Sequence, residues 1–226
     1  MSWGWGMSDW LEAGLQLVFP ACCPGCGAEV AQRGAWCRQC LNKLWRPRCL
    51  NVTRRGMNHV QSCRILTGYD GKVRDLLHGL KFERRRGNAA PLAWLLSLAD
   101  EQELAGLPMQ TGLVVPVPLS KERKAGRGFN QAELLFEGWC RQHGLDWDTA
   151  VLSRHRHTAP QWELDRSKRR ENMNGAFTCN APKKIFQRPV LLVDDIVTTG
   201  QTLEQCGLAL HQAGASSVGA FCLAHG

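Results

Sequence analysis

The sequence lacks the features of an exported or membrane-embedded chain. No stretch approaches the ~20 consecutive apolar residues that a membrane span requires. The first 20 residues contain no lysine or arginine but include Asp9 and Glu12, which argues against a signal peptide because such peptides begin with positive charge. We also find no low-complexity tracts and no internal repeats. We therefore expect a globular, cytoplasmic protein without a membrane span.

Cysteine, in contrast, is abundant, with 11 residues in the chain. In a chain that is not exported, cysteines are more often thiols or metal ligands than disulfides. Cys23, Cys26, Cys37 and Cys40 form two C-x2-C pairs, which can supply four thiolates to one tetrahedral Zn²⁺. A module of this size has almost no core, so the metal would supply much of its folding energy. We predict a closed, structural zinc site; four buried free thiols are the alternative.

The other cysteines do not extend this pattern. Cys22 is adjacent to Cys23 but lacks the two-residue spacing to Cys26. Cys49, Cys63 and His59 leave open whether remnants of a second site exist, and we do not predict a second metal. Three more fall in apolar patterns and are predicted to be buried: Cys140, Cys206 and Cys222.

The length of 226 residues suits one α/β core with a small accessory module. Apolar residues recur at helical spacing over residues 73–80, 92–98, 129–139 and 203–213, and short strand patterns cover 112–118, 189–195 and 217–224. This alternation predicts an α/β fold with a parallel sheet flanked by helices. We place the amino-terminal segment and zinc-binding module at residues 1–62, with a basic connector from 44 to 62, and the main domain at residues 63–226.

One segment carries most of the functional information. Residues 190–193 are a continuous apolar run, typical of a strand that is covered on both faces. Asp194 and Asp195 follow at the end of this strand, where open α/β sheets bind ligands. The next residues begin a helix, whose first amides favour an anion such as phosphate: Thr198, Thr199, Gly200, Gln201 and Thr202. The alternative is a turn whose acidic residues merely cap the helix.

This segment resembles the signature of type I phosphoribosyltransferases, which bind 5-phosphoribosyl-1-pyrophosphate (PRPP). The resemblance implies that Asp194 and Asp195 accept hydrogen bonds from the ribose hydroxyls and that residues 198–202 hold the 5′-phosphate. Mg²⁺ is expected to accompany the pyrophosphate. We expect Lys121 and Arg127, in the basic loop after Pro118, to neutralise that pyrophosphate, together with Arg123 and Lys124.

The order of the remaining motifs narrows the resemblance to the ComF/GntX family, whose members are tied to competence and the use of external DNA. The motifs that carry it, besides the cysteine pairs, are Lys81-Phe82, Val115-Pro116-Val117-Pro118, Arg127-Gly128-Phe129-Asn130-Gln131-Ala132, Thr158, Gln161, Arg169, Asn172 and Gly175-Ala176-Phe177. The resemblance implies a type I phosphoribosyltransferase fold behind a zinc-binding region. It also implies the handling of single-stranded DNA beside a helicase-type uptake motor and a recombination mediator. Later cysteine pairs of the family are reduced here to Cys49 and Cys63.

The net charge of +8 favours a polyanionic partner without naming it. Basic residues cluster at 46–55, 81–86, 154–156 and 166–170, and Trp45 and Trp162 are nearby stacking candidates for single-stranded nucleic acid. A solvated basic surface is the alternative.

Three functions therefore stay open: a DNA-processing factor with a PRPP site, an active transferase that acts on a nucleobase or small amine, and a PRPP-sensing regulator. Thr198 stands where purine-salvage transferases carry an acid, so a site that binds PRPP without turnover is among the open possibilities.

Overall fold

The structure, a computed structural model, describes residues 20–109, 112–155 and 175–226. Its main sheet has six strands in the order β1-β2-β8-β7-β3-β4, and a separate hairpin pairs β5 with β6. The strands are β1 Trp45–Cys49, β2 Ser62–Gly68, β3 Leu113–Pro116, β4 Asp146–Trp147, β5 Leu152–Arg154, β6 Phe177–Cys179, β7 Pro189–Val197 and β8 Ser217–His225. Only the edge pair β1–β2 of the main sheet is antiparallel. The predicted α/β fold with a mostly parallel sheet is confirmed.

Helices cover the sheet with the apolar stripes that the sequence predicted. They are α1 Arg38–Leu44, α2 Gly71–Phe82, α3 Ala89–Leu96, α4 Glu101–Leu104, α5 Lys121–Arg127, α6 Gln131–Gln142, α7 Pro182–Ile185 and α8 Gln201–Gln212. In α2 the buried residues include Val73, Leu77 and Leu80, which recur at helical spacing and face the sheet. Within the described part of the chain, no helix is long and apolar enough to cross a membrane.

The core lies on both faces of the sheet, and β7 contributes to each. Leu191 and Val193 pack into the cluster on one face, whereas Val190 and Leu192 pack into the cluster on the other. Successive side chains of a strand point to opposite faces, so a central parallel strand needs apolar residues at every position. This explains the continuous apolar run before the acidic pair.

The stretch predicted as a connector, residues 44–62, is structured instead. It contains β1, which pairs with β2, and a short 3₁₀ helix at Thr53–Arg55. The strand was missed because it lies at the sheet edge, carries two arginines and includes Pro47, a residue that edge strands tolerate. The sheet therefore begins before residue 63, and the boundary placed between residues 62 and 63 stays a prediction.

Candidate functional site

The two carboxylates lie at the carboxyl end of β7, beside the end of the neighbouring strand β8. The strand continues for two residues beyond them, to Val197, so Asp194 and Asp195 lie inside its last part and do not follow it. Asp195 is only 4% exposed. Its backbone N–H donates to Asp194 Oδ1 at 2.8 Å, which holds the Asp194 carboxylate against the backbone of Asp195.

Lys81, at the end of α2, reaches this pair. Its Nζ lies 2.8 Å from Asp195 Oδ2, and both side chains are largely buried. This contact compensates the charge of Asp195 inside the protein. An ionised carboxylate has about four lone-pair sites, so the contact with Lys81 leaves acceptor capacity at the acidic pair.

The proximity of the two acids affects their ionisation. Burial raises the pKa of Asp194 well above its ordinary value, and the charge of Asp195 raises it further, whereas Lys81 acts in the opposite direction. Two carboxylates in one site resist holding two charges.

Two arginines, Arg127 and Arg154, interact electrostatically with the acidic pair, and Arg123 acts on both of them. Burial and then Arg123 lower the pKa of Arg127, while Asp195 opposes this. Burial and Arg123 likewise lower the pKa of Arg154, and Asp194 is among the groups that oppose it. The charges of Arg127 and Arg154 are therefore within electrostatic reach of the carboxylates. A backbone bridge between Ser120 and Arg154 joins β5 to the residue before α5.

The sequence predicted some of these cations and missed others. Arg127 was predicted, and its Nη1 donates to Gln131 Oε1 at 2.9 Å. Lys121 is exposed at the start of α5, and no contact among the described residues joins it to the acidic pair. From sequence alone, Lys81 and Arg154 belong to the basic clusters at 81–86 and 154–156, which predict surface positions. Their place in the site depends on which elements are neighbours in space, which no local pattern reveals.

The turn formed by residues 198–202 leads from β7 into α8. Thr198 and Thr199 are exposed, and Gly200 is the N-cap with φ +85°. Within the described residues, no side chain caps α8, although Thr199 Oγ1 lies 3.4 Å from the Gln201 amide. The amides at the start of the helix are therefore available to an anion.

Residues 51–60 pack against this turn and against the first turn of α8. Arg55 Nη1 donates to the Thr198 carbonyl at 2.6 Å. A Cβ at Gly200 would lie 2.5 Å from Met57 Sδ. The His59 amide and Nδ1 lie 2.9 and 2.7 Å from the two carboxylate oxygens of Glu204, in the first turn of α8. The sequence analysis missed these contacts because they join residues that are far apart along the chain.

The four predicted cysteines come together. The Sγ atoms of Cys23, Cys26, Cys37 and Cys40 all lie within 4.8 Å of one another, and those of Cys26 and Cys37 are 3.6 Å apart. Thiolates around a tetrahedral Zn²⁺ lie about 3.8 Å apart for bonds of ~2.3 Å. The cluster therefore fits a metal ion of this size.

Local backbone geometry supports the cluster. Gly27 has φ +78°, as expected for a tight turn after Cys26, and a Cβ at Gly25 would lie 2.7 Å from Cys40 Sγ. Burial opposes ionisation of Cys23, but backbone N–H groups and the Cys37 thiol lower its pKa to about 6. Burial and the neighbouring thiols raise the pKa of Cys40 to about 12. A bound cation would favour the thiolate at every position.

The cysteine module is anchored on α3. Trp36 is buried, and its Nε1 donates to the Pro91 carbonyl at 2.9 Å. Gly34, with φ +87°, approaches the backbone of Ala90 so closely that a Cβ would lie 3.1 Å away. Trp36 and Cys23 belong to the hydrophobic cluster on one face of the sheet, so the module shares a core with the sheet.

Among the described residues, this is the only cluster of three or more potential metal ligands. Cys63 is buried, His59 pairs with Glu204, and Cys49 contacts a backbone carbonyl. Cys140, Cys206 and Cys222 are buried as predicted. Several residues named in the sequence analysis lie outside the described residues: Arg156, Thr158, Gln161, Trp162 and those at 166–172.

Comparison with known proteins decides the family. Residues 150–226 match the model of the phosphoribosyl transferase domain. The DNA utilization protein YhgH of Salmonella typhimurium is 34% identical over 208 residues, which cover 89% of this chain and 82% of that protein. This chain belongs to the ComF family.

Other members are similar over comparable lengths. Competence protein F of Haemophilus influenzae is 30% identical, with 93% of each chain covered, and competence protein ComFC of Bacillus subtilis is 29% identical over 92% of this chain and 80% of that protein. Among solved structures, the glutamine PRPP amidotransferase of B. subtilis covers 62% of this chain and 25% of its own, with 16% identity and a TM-score of 0.39, a likeness too weak to carry weight. The family assignment therefore rests on sequence, and the prediction of ComF membership is confirmed.

Proposed function

We propose that the main domain binds PRPP or a closely related sugar phosphate. Asp194 and Asp195 accept hydrogen bonds from the ribose hydroxyls, and residues 198–202 hold the 5′-phosphate through their amides and hydroxyls. The observation that carries this proposal is the adjoining pair of carboxylates at the end of β7, with Lys81 Nζ 2.8 Å from Asp195 Oδ2, next to the start of α8, which no side chain of the described residues caps. The remaining lone pairs of the carboxylates accept from the ligand hydroxyls.

The cations around the acidic pair suit the pyrophosphate end of the ligand. The sequence predicts Lys121, Arg123, Lys124 and Arg127 for this role, and Arg154, whose charge interacts with Asp194, adds to it. Mg²⁺ prefers oxygen ligands. The phosphates of the ligand would supply such oxygens, and the metal would screen the charge between them and the carboxylates. The arginines orient the pyrophosphate, and Lys81 limits the charge on the acidic pair.

We propose that binding, and not turnover, is the main task of this site. Thr198 stands where a proton-handling acid is expected for a purine-salvage transferase. Its hydroxyl is a poor general base at neutral pH. An active transferase, with a nucleobase or small amine as acceptor, is the competing outcome of the experiment below.

The relatives named for DNA utilization and competence support a role of this chain with DNA. We propose that it handles single-stranded DNA, in the cytoplasm, beside a helicase-type uptake motor and a recombination mediator. Exposed arginines supply phosphate contacts on the described surface, and the half-buried Trp45 supplies a stacking face. The arginines are Arg54, Arg84, Arg85 and Arg86.

We further propose that the cysteine cluster binds a structural Zn²⁺. Cys23→Ser should lower the zinc content below one ion per chain and lower the melting temperature, because a metal that binds only the folded module contributes directly to its stability. Cys22→Ser is the matched control, since Cys22 is exposed, adjacent and outside the cluster. Equal zinc content in the two variants, measured by atomic emission, contradicts the proposal.

Calorimetry with PRPP and Mg²⁺ tests the sugar-phosphate site. The wild type should bind, and Asp194→Ala plus Asp195→Ala should weaken binding by about a hundredfold or more, because two charge-assisted acceptors are lost. Pyrophosphate release across a panel of acceptors would support the transferase instead.

The same two proteins are then titrated with fluorescent single-stranded DNA. Both should bind, with an affinity that falls steeply with salt; five phosphate contacts give a log–log slope of roughly −3.5. Salt-independent or absent DNA binding contradicts the DNA function and leaves the PRPP result unaffected.

A further inference from the structure

A cluster rich in hydrogen-bond donors lies at the carboxyl end of β8, beside the 198–202 turn. Arg55 Nη2 lies 2.6 Å from His225 Nε2, and Arg48 Nη2 lies 3.2 Å from His225 Nδ1. Arg55 also holds the Thr198 carbonyl through its other terminal nitrogen. The imidazole therefore lies between two guanidinium groups, one facing each ring nitrogen.

The imidazole cannot accept from both arginines. A guanidinium only donates, and a neutral imidazole has one accepting nitrogen while a protonated one has none. Burial and then the charges of Arg55 and Arg48 lower the pKa of His225, so the ring is neutral at pH 7. The shorter contact assigns the accepting role to Nε2. Nδ1 then carries the hydrogen, and it faces the N–H of Arg48.

The gap between Arg48 and His225 therefore contains two donors without an acceptor. No carboxylate of the described residues forms an ion pair with Arg48 or Arg55, whereas Arg46, on the same strand, pairs with Asp70 at 3.4 Å. Arg48 Nη1 donates to the Arg46 carbonyl at 3.1 Å, which orients the guanidinium but leaves its charge uncompensated. An oxyanion would satisfy both donors and compensate the charge.

We propose that this gap binds a phosphate group of single-stranded nucleic acid. The inference deepens the proposed DNA function and rests on it for the choice of ligand. The site is half-buried, as suits one phosphate of a longer strand, and β1 is the edge strand of the sheet, so a chain can run along it. Arg54 lies nearby in sequence for an adjoining phosphate, and Trp45 for a base, whereas Arg46 is paired with Asp70.

The site differs from the sugar-phosphate pocket. It involves β1 and β8, whereas the pocket is built from Asp194, Asp195 and Lys81. The two are nevertheless neighbours, since Arg55 contacts both His225 and the Thr198 carbonyl and the Gly226 N–H donates to the Val197 carbonyl at 3.0 Å. Among the described residues, no hydrogen bond or ion pair joins Arg48 to the 198–202 turn or to the acidic pair. Arg48 is therefore the residue whose replacement separates DNA binding from PRPP binding.

The test compares Arg48→Gln with Arg46→Gln in the full chain. Arg48→Gln should weaken the binding of oligothymidylate on the order of tenfold, lower the salt slope by about 0.7 and leave the PRPP affinity unchanged. Arg46→Gln removes the same charge one β-strand repeat away and should stay within about twofold of the wild type. In NMR spectra of the labelled protein, oligothymidylate should shift the ring signals of His225, identified by their loss in His225→Gln.

Every outcome bears on the proposal. If Arg48→Gln and Arg46→Gln weaken oligothymidylate binding equally, the affinity comes from the general positive charge of the surface, and the proposed site is overturned. A shift of His225 by PRPP but not by oligothymidylate overturns the nucleic-acid assignment. If the wild type binds no DNA, the proposed DNA function fails, and titration with inorganic phosphate decides the site: a His225 shift that Arg48→Gln abolishes supports it, and no shift overturns it.

Discussion

Two stretches of the chain meet at the 198–202 turn, and they hold it in different ways. The signature segment, residues 189–202, is continuous, and its backbone is fixed by pairing with β3 and β8. The bracing segment, residues 45–61, reaches the same turn through single side chains such as Arg55, 143 residues away in sequence from its partner Thr198. A short motif can therefore present its amides to a ligand only where another part of the chain packs against the turn and holds its backbone in place.

The largest effect is expected for Gly200→Ala, which should lower the free energy of unfolding by about 3 kcal/mol. The left-handed φ of +85° costs a residue with a Cβ about 1–2 kcal/mol, and the clash with Met57 Sδ adds about 1–3 kcal/mol of overpacking. Urea denaturation measures the change.

Gly126→Ala is the matched control. Gly126 lies in α5 with nothing within 4 Å of the added Cβ, so the substitution should be neutral or stabilise by up to about 1 kcal/mol. Equal changes in the free energy of unfolding for the two substitutions would show that the turn tolerates a Cβ as well as an exposed helix position does.

The next largest loss of stability is expected for Met57→Ala, which tests the bracing segment itself. Met57 is 3% exposed, and truncating a buried methionine costs about 2 kcal/mol or more. In this background Gly200→Ala should cost less, because the new Cβ has room and only the backbone strain remains. A double-mutant cycle of unfolding free energies gives the coupling, expected at about 1 kcal/mol. Strict additivity would show that Met57 does not support the turn.

Glu204→Gln should have a smaller effect, about 1–2 kcal/mol. Both carboxylate oxygens of Glu204 accept from His59, and the side chain is only 11% exposed, so the amide leaves one donor unpaired. Glu137→Gln is the control, because its pair with Arg141 is solvent-exposed and contributes less than about 0.5 kcal/mol. Thermal denaturation of both variants distinguishes a bracing contact from a surface pair.

The two segments also differ in how far sequence could predict them. The signature segment is readable because a buried parallel strand, an acidic pair and a helix start are all local patterns. Its strand end was misplaced by two residues, since Ile196 and Val197 still pair with β8. The four cysteines were readable from spacing alone.

The bracing segment and the cations were not readable, for a physical reason. Lys81 and Arg154 enter the site only because α2 and β5 end near the tip of β7, which sequence patterns do not encode. His225 is an ordinary strand residue until two arginines from other elements flank it. Such roles depend on contacts between distant parts of the chain.

The smallest effect, and of opposite sign, is expected for Asp194→Asn, which should stabilise the fold at neutral pH. Burial and the charge of Asp195 raise the pKa of Asp194 above its ordinary 3.8, so the folded chain binds this proton more tightly than the unfolded chain. Stability therefore falls as pH rises from 3.8 through the folded-state pKa. Asparagine has no such titration and keeps the oxygen that accepts from the Asp195 amide.

The stability difference between Asp194→Asn and the wild type should therefore vanish toward pH 4 and grow as pH rises, in urea titrations at several pH values. Asp195→Asn is the control with the opposite expectation, because it leaves the largely buried ammonium of Lys81 without its partner and should destabilise at pH 7. A pH-independent difference for Asp194→Asn would mean that the carboxylate is fully compensated in the folded chain. Asp195 is paired with Lys81, whereas burial raises the pKa of Asp194. If Asp194 were fully compensated, this difference between the two acids would no longer support a ligand-binding role for the pair.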